Sequence, residues 1–293
     1  MSKVITALVT PFTENGIDYN TLSQLIDYQI DENVDGILIL GTTGEAATIT
    51  PSERSEIIRF CKFYIDNRLE LMVGCGSNCT STACAFAKDA YLLGADSILS
   101  VTPYYNKCNA EGVYMHFKKI AECSPLPITL YNVPHRTGFN LTAMMVEKIS
   151  EIENIVAIKE ANGDMFQITD IINNCNIDVY CGEDALTLPI LSIGGKGVIS
   201  VLSNASPRLM KELCNAFDEN NKNLCFELNK KVKLLSDAFF CDTNPIPVKA
   251  AMQLLGFNTE KLRLPLLSAN ENVKSKITNV VSELLKTPYL KLH

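Results

Sequence analysis

Lys159 occupies a position in this 293-residue sequence where an amine could act as a nucleophile. It follows the apolar run at residues 155–158 and precedes Glu160. Apolar surroundings disfavour the ammonium ion, so a lysine there would have a lowered pKa and a larger neutral fraction near neutral pH. Imine formation with a keto acid requires such a neutral amine. The position also suits a structural lysine that pairs with Glu160 or with another carboxylate.

Polar side chains that could assist such a reaction lie elsewhere along the chain. Tyr131 has a phenol that could transfer protons to an imine carbon or a carbinolamine. Arg136 offers a planar fork of N–H donors that suits a carboxylate. Thr42 and Thr43 stand between glycines, where hydroxyl and backbone N–H groups could hold a second carboxylate. Each residue has an ordinary alternative role in packing or at the surface, but beside a nucleophilic lysine the set indicates a keto-acid site.

The pattern of apolar residues predicts the elements that position these side chains. Eight short apolar runs alternate with segments of helical period, which indicates strands and helices in succession. The predicted strands begin near Val4, Gly36, Glu70, Asp96, Pro127, Ile155, Asp178 and Gly197. Eight strand–helix units in about 220 residues are typical of an α/β fold of the closed (β/α)8 TIM-barrel type.

Capping chemistry supports the helices of this scheme. Thr50 can cap a helix whose first residue is a proline, and Glu53 completes a capping box. Ser206-Pro207 begins another segment with helical spacing of apolar residues, and Gly94 ends an earlier helix.

The chain beyond the eighth unit is predicted to be helical. Three apolar-periodic segments without a strand pattern lie near 223–240, 247–255 and 270–286. We therefore predict a barrel at residues 1–222 and a small C-terminal domain of three helices at residues 223–293. The alternative, a doubly wound open sheet, would favour a glycine-rich phosphate turn after the first strand, but residues 9–12 contain no glycine.

A barrel would bring the polar motifs of the chain together. Its active site lies at the C-terminal ends of the strands, where the residues after each apolar run meet. The motifs in these places are Gly41–Glu45 after strand 2, Thr102–Asn106 after strand 4, Tyr131–Gly138 after strand 5 and Lys159-Glu160 after strand 6.

The composition excludes several classes of function. The 26 basic and 33 acidic residues give a net charge of -7, and no basic run could follow a phosphate backbone, so no nucleic-acid partner is predicted. No apolar stretch approaches bilayer length and the N-terminus lacks a signal pattern, which predicts a cytoplasmic protein without membrane association. The eleven cysteines lack zinc-site spacing and the three histidines are scattered, so no metal or other cofactor is predicted.

Six motifs of the chain match those of a known enzyme family. They are GTTGE at 41–45, VTPYYN at 101–106, YNVPHRTG at 131–138, the strand that ends in Lys159-Glu160, GVISV at 197–201 and NPIPVK at 244–249. In this order they resemble the 4-hydroxy-tetrahydrodipicolinate synthases, a family of pyruvate-lysine aldolases, over essentially the whole chain. The resemblance implies a lyase that binds pyruvate as a Schiff base and condenses it with L-aspartate 4-semialdehyde to give 4-hydroxy-tetrahydrodipicolinate, the first committed step of lysine biosynthesis through diaminopimelate.

The resemblance assigns catalytic roles to four residues. Lys159 corresponds to the Schiff-base lysine, and Tyr131 corresponds to the tyrosine that transfers protons and steers the imine. Thr42 and Tyr105 correspond to the rest of a proton relay, in which the tyrosine comes from the neighbouring subunit. A relay across a subunit boundary implies a homodimer or a homotetramer.

The resemblance also assigns substrate contacts. Thr43 corresponds to the residue that holds the pyruvate carboxylate, and Ile199 corresponds to a backbone contact with pyruvate. Arg136 corresponds to the arginine that receives the carboxylate of the semialdehyde. His135 stands where the family commonly has a smaller residue, so its bulk is expected to affect access for the second substrate.

Two alternative functions remain open at this point. A sister aldolase, such as an N-acetylneuraminate or 2-keto-3-deoxy-sugar-acid lyase, would share the lysine and the tyrosine, but Arg136 and the paired tyrosines Tyr104 and Tyr105 argue against it. A protein that senses a keto acid without turnover belongs to another class. A sensor needs the carboxylate clamp but not the proton relay, whereas this chain carries both.

The residues at the positions of the family's regulatory pocket predict an enzyme that L-lysine does not inhibit. In lysine-inhibited family members, lysine binds at a dimer interface lined by histidines, a glutamate, an asparagine and a tyrosine. The chain keeps the asparagine and the tyrosine as Asn78 and Tyr104. Other residues replace the two histidines, the glutamate and a common serine, namely Pro51, Arg54, Thr82 and Ala46. These changes remove hydrogen-bond partners and the anionic partner of an ammonium group.

Overall fold

Eight parallel strands form a closed barrel in the computed structural model, which describes residues 1–293. The strands are β1 (Lys3–Ala7), β2 (Gly36–Ile39), β3 (Glu70–Gly74), β4 (Ser97–Val101), β5 (Ile128–Asn132), β6 (Ile155–Glu160), β7 (Asp178–Cys181) and β8 (Gly197–Ser200). Strand β1 closes the barrel by pairing with both β2 and β8. The predicted (β/α)8 barrel is confirmed, and each strand begins within one residue of its expected start.

Helices follow the strands in sequence and cover the outside of the barrel. They are α1 (Tyr19–Asp31), α2 (Pro51–Ile65), α3 (Thr80–Leu92), α4 (Ala110–Cys123), α5 (Ala143–Ser150), α6 (Met165–Asn174), α7 (Thr187–Ser192) and α8 (Pro207–Asp218). A short hairpin of Phe12–Thr13 and Gly16–Ile17 precedes α1, and a single helical turn, Pro134–Thr137, follows β5. None of the helices combines the length and the hydropathy that crossing a membrane requires.

Local sequence chemistry explains where several helices begin and end. The Thr50 hydroxyl accepts a hydrogen bond from the Glu53 N–H at 3.3 Å, and the Glu53 carboxylate accepts one from the Thr50 N–H at 2.9 Å, so α2 begins with the predicted capping box. Gly94 follows α3 with a φ of 86°, a left-handed conformation that favours glycine. Ser206 precedes α8 as predicted, but its hydroxyl donates to the Tyr289 carbonyl at 2.8 Å and does not cap the helix.

The predicted C-terminal helices are present as α9 (Lys222–Phe239), α10 (Ile246–Leu254) and α11 (Glu271–Leu284). Their buried side chains belong to the same hydrophobic core as the outward-facing residues of the barrel strands. This shared core fixes the helices against the barrel, so that they can supply residues to its open end. The division of the chain at residues 222 and 223 remains a proposal about its organisation.

A second cluster of side chains fills the inside of the barrel. Successive strand residues point to opposite faces, so inward and outward positions alternate. In β6 this alternation places Ala157 and Lys159 inside the barrel, whereas Ile158 and Glu160 face the surrounding helices. Tyr131 of β5 belongs to the inner cluster. The strand period therefore brings the candidate nucleophile and the candidate acid–base group to one surface.

Candidate active site

Lys159 lies on the inner face of β6, near the C-terminal end of the barrel, and is 4% exposed. Its Nζ is 4.7 Å from the centre of the Tyr131 ring, and Tyr131 is its register partner on β5. The prediction that these two residues come directly after their strands is wrong, whereas the motif of a strand that ends in Lys159-Glu160 is confirmed. Both lie within the strands, because the ladder between β5 and β6 continues to Asn132 and Glu160.

The environment of Lys159 increases the fraction of neutral amine. Burial lowers the pKa of Lys159 to about 8 from an ordinary value of 10.5. The charge of Asp184 opposes this shift and the charge of Arg136 adds to it. Glu160 is no counter-ion, because its carboxylate lies on the other face of β6 and accepts a hydrogen bond from Asn132 Nδ2 at 3.0 Å. An amine with a pKa of about 8 is roughly one-tenth neutral at pH 7.

This shifted pKa predicts the pH dependence of imine formation. Only the neutral amine attacks a carbonyl, and protonation of Lys159 below a pKa of about 8 removes it. We expect the rate of imine formation with pyruvate to rise about tenfold per pH unit below pH 8 and to level off above it. Borohydride quenching after short incubations measures this rate. A rate that stays constant over the two pH units below 8 would contradict the predicted titration of Lys159.

Tyr131 is placed to act as a proton donor beside this amine. It is 7% exposed. Burial raises the pKa of Tyr131, while the charge of Arg136 and the hydroxyl of Thr42 act in the opposite direction. The phenol is therefore protonated at neutral pH and can donate a proton to an oxygen that develops negative charge.

A cavity of about 460 Å³ opens at the C-terminal end of the barrel and contains most of the predicted site residues. The predicted residues that line it are Thr42, Thr43, Tyr131, Arg136 and Lys159, and the adjacent His135 lines it as well. Residues of α9 and of the segment before α10 complete the wall. No group of three or more histidine, cysteine, aspartate or glutamate side chains is placed to hold a metal ion.

Asn244 connects two of the candidate carboxylate-binding residues. Its side-chain Nδ2 donates to Thr43 Oγ1 at 3.0 Å, and its carbonyl accepts a hydrogen bond from Arg136 Nη2 at 3.2 Å. Thr43 and Asn244 are both buried, whereas Arg136 is exposed at the cavity mouth. The donors expected for the two substrate carboxylates therefore lie in one cavity and are held by the C-terminal part of the chain.

Tyr105 and Ile199 do not line the cavity. Tyr105 is 89% exposed. Ile199 is fully buried in the inner cluster of the barrel. Their assigned roles, in a relay across subunits and as a backbone contact, remain predictions.

Comparison with known proteins identifies the family of the chain. The model of the dihydrodipicolinate synthetase family matches residues 1–284. The chain belongs to this family. The resemblance inferred from the six motifs is therefore confirmed.

Relatives within the family are similar over almost their whole length. A 4-hydroxy-tetrahydrodipicolinate synthase from Alkaliphilus oremlandii is 44% identical over 273 residues, which cover 92% of this chain and 94% of that protein. One from Archaeoglobus fulgidus is 44% identical over 284 residues, with coverage of 96% and 97%. The crystal structure of dihydrodipicolinate synthase from Thermotoga maritima superposes with a TM-score of 0.94 at 40% identity, covering 97% of this chain and 98% of that one.

Sequence reasoning missed two residues that shape the site of this family member. A Cβ atom at Gly182 would lie 2.8 Å from the Glu160 carbonyl oxygen and 3.0 Å from Lys159 Cε, so the end of β6 leaves no room for a side chain there. Asp184 is 1% exposed, and its carboxylate accepts hydrogen bonds from the Ser200 hydroxyl and from the Val201 N–H at 3.0 Å. The sequence feature that could have identified these two residues is Gly-Glu-Asp directly after β7, at the end of the barrel where active-site residues lie.

Proposed function

We propose that this chain is a 4-hydroxy-tetrahydrodipicolinate synthase that condenses pyruvate with L-aspartate 4-semialdehyde. The observation that carries the proposal is the buried Lys159 amine, which shares a cavity with the Tyr131 phenol and with donors for carboxylates. Membership of the dihydrodipicolinate synthetase family supports the same reaction. The imine itself can accept electrons from the substrate, so this chemistry requires no cofactor.

The first stage is the formation of the pyruvate imine. We infer that Thr43 holds the pyruvate carboxylate while the neutral Lys159 amine attacks the keto carbon, which forms a C–N bond. Tyr131 donates a proton to the carbinolamine hydroxyl, which leaves as water. The product of this stage is a protonated imine on the buried Lys159 side chain.

The second stage joins the two substrates. The Tyr131 phenolate left by the first stage takes a proton from the pyruvate methyl group to give an enamine. As the enamine carbon attacks the aldehyde carbon of the semialdehyde, Tyr131 returns this proton to the aldehyde oxygen. Arg136 holds the carboxylate of this second substrate near the cavity mouth. The amino group of the semialdehyde then attacks the imine carbon, which closes the ring and releases the Lys159 amine. The net change is one molecule of each substrate converted to 4-hydroxy-tetrahydrodipicolinate and water.

A panel of aldehydes tests the assignment against a sister aldolase. Pyruvate is supplied with L-aspartate 4-semialdehyde or with sugar aldehydes, and pyruvate consumption is followed. We expect turnover with the semialdehyde and little with the sugars, because Arg136 presents a cation where a sugar would need hydroxyl-binding groups. Preferred turnover of a sugar aldehyde would overturn the assignment. Imine formation without turnover of any aldehyde would favour a sensor.

Replacement of Arg136 with alanine should act mainly on the second substrate. Loss of a charge-assisted hydrogen bond costs about 1.5–3 kcal/mol, so we expect the KM for the semialdehyde to rise roughly 10- to 150-fold. Pyruvate trapping should persist, because Thr43 and Lys159 are unchanged. Steady-state kinetics with each substrate varied measures the difference, and Arg59→Ala on the exposed face of α2 is the control. Loss of pyruvate trapping in Arg136→Ala would contradict this assignment.

We propose that the active enzyme is a cytoplasmic homodimer or homotetramer. The exposed side chain of Tyr105 supports this, because a tyrosine that is 89% exposed in one chain is available to the site of another. Light scattering at assay concentrations tests the prediction. A fully active monomer would contradict the proposed relay through Tyr105.

Insensitivity to L-lysine remains a prediction, and the position of Arg54 strengthens it. Arg54 is 5% exposed, its guanidinium lies 4.1 Å from the centre of the Phe86 ring, and it donates a hydrogen bond to the Gly74 carbonyl. A side chain packed in this way cannot replace a histidine that binds a ligand. We expect unchanged initial rates as lysine is added at fixed substrate concentrations. Half-inhibition at or below low millimolar lysine would refute the prediction.

A further inference from the structure

A buried ion pair outside the cavity joins the loop after β2 to the C-terminal part of the chain. Lys249 Nζ of α10 lies 2.6 Å from Glu45 Oε1, and the two side chains are 0% and 1% exposed. The second carboxylate oxygen of Glu45 accepts a hydrogen bond from the Arg263 N–H at 3.1 Å. Lys249 Nζ also donates to the Lys261 carbonyl at 2.7 Å. The contacts of the Glu45 carboxylate thus come from the segment between residues 249 and 263.

The loop that carries Glu45 has an unfavourable backbone conformation. Leu40 and Glu45, at its two ends, have φ angles of 56° and 54°, in the left-handed region that non-glycine residues rarely occupy. Such residues persist where surrounding contacts determine the conformation, and they are common at functional sites. Thr42 and Thr43, which line the cavity, lie between them. The loop therefore depends on contacts outside itself for its shape.

Further bonds connect the same two segments. The Arg263 guanidinium donates to the Thr48 carbonyl at 2.9 Å and pairs with the Glu53 carboxylate, which also caps α2. Lys249 Nζ and Arg263 Cζ lie 4.4 Å and 4.5 Å from the centre of the Phe12 ring. Together with the bond from Asn244 to Thr43 Oγ1, these contacts hold the loop from its first threonines to the start of α2.

A buried ion pair at this position is better explained by a role in fixing the conformation of the loop than by a contribution to the stability of the fold. Removing two charges from water costs about as much as their attraction returns, and an apolar pair of similar size often stabilises a fold equally well. Burial lowers the pKa of Lys249 to about 8, and the charge of Glu45 and its hydrogen bond act in the opposite direction. An apolar contact is not directional and would allow the two segments to shift. A charged pair in which both carboxylate oxygens are hydrogen-bonded fixes the direction and the distance between the two side chains.

We propose that Glu45 and Lys249 are positioning residues for the reaction, which lock the loop so that Thr42 and Thr43 face pyruvate and Tyr131. The inference rests on the proposed function. It makes the C-terminal helical segment a required part of the active site. The pair touches no substrate and acts through the two threonines.

Three variants separate positioning from folding. Glu45→Gln and Lys249→Met each leave one buried charge without its partner, whereas the double variant leaves none. Lys148→Met is the matched control, because Lys148 pairs with Glu111 at 3.0 Å on the surface with side chains 54% and 65% exposed. The measurements are melting temperature, turnover, the pyruvate concentration for half-maximal borohydride trapping, and amide hydrogen exchange of a peptide covering residues 41–49.

We expect both single variants to melt earlier and to lose turnover by about 10- to 100-fold, the range for a small misplacement of reacting groups. In the double variant the melting temperature should recover toward that of the parent, while turnover stays low, half-maximal trapping needs more pyruvate, and the loop peptide exchanges faster. The control should match the parent. A double variant that regains both its melting temperature and its turnover would overturn the proposal, as would unchanged exchange of the loop peptide.

The proposed function and the role of the pair fail in different ways. A parent protein that does not condense pyruvate with L-aspartate 4-semialdehyde would refute the function. Trapping with pyruvate alone and hydrogen exchange need no second substrate, so they still decide whether the pair positions the loop. If Lys249→Met does not fold, Glu45→Gln and the double variant still test whether the pair positions the loop.

Discussion

Replacement of Lys159 with arginine should abolish condensation. An arginine keeps its positive charge at any pH the protein tolerates, so it has no neutral amine to form an imine. We expect turnover to fall by roughly 10⁴- to 10⁶-fold, as is found when a covalent nucleophile is removed. Lys159→Met, which is uncharged and similar in length, should lose turnover equally, because both variants lack the amine that forms the imine, whatever their charge. Initial rates with both substrates measure the effect.

A change at another lysine should leave turnover unaffected. Lys196 is exposed at the N-terminal rim of the barrel, directly before β8, so Lys196→Arg is the matched control. The melting temperatures of the Lys159 variants show whether they fold. A folded Lys159→Arg protein with turnover within tenfold of the parent would show that Lys159 is a structural lysine.

Replacement of Tyr131 with phenylalanine should have the second-largest effect. The ring still fills its place in the inner cluster, 4.7 Å from Lys159 Nζ, but the hydroxyl is gone. One positioned acid–base group typically contributes 10²–10⁴-fold, so we expect turnover to fall by roughly this factor. Borohydride trapping should become slower but should still reach completion.

Tyr180 provides a matched control for this prediction. It is the register partner of Lys159 on β7, it belongs to the same inner cluster, and it is also 7% exposed. It does not line the cavity, so Tyr180→Phe should retain turnover near that of the parent. Similar losses in both variants would mean that Tyr131 is only a packing residue.

The barrel could be predicted from sequence because its signals are local. Strand period, helix period and capping residues each occupy short stretches, and they are sufficient to place β6. The motifs then indicated which strand ends carry chemistry. The predicted ends of β5 and β6 come too early in the sequence. The last residues of these strands pair with each other in the ladder, and this pairing cannot be inferred from the apolar residues of one segment.

The contacts between distant segments could not be predicted. Thr43 and Asn244 are 201 residues apart in sequence, and Glu45 and Lys249 are 204 apart, yet each pair is hydrogen-bonded in the fold. The NPIPVK motif was visible at residues 244–249, but periodicity and spacing say nothing about what a helix outside the barrel touches. Asp184 was missed for a similar reason, since its partners belong to β8 and the turn after it.

Reductive trapping of the pyruvate imine tests the central claim most directly. The protein is incubated with pyruvate alone, reduced with borohydride, digested, and analysed by mass spectrometry. We predict one pyruvate-derived adduct, on Lys159, because this amine is buried, has a pKa of about 8 and lies in the cavity with the carboxylate-binding residues. An adduct on another lysine, or no adduct at saturating pyruvate, would contradict the account.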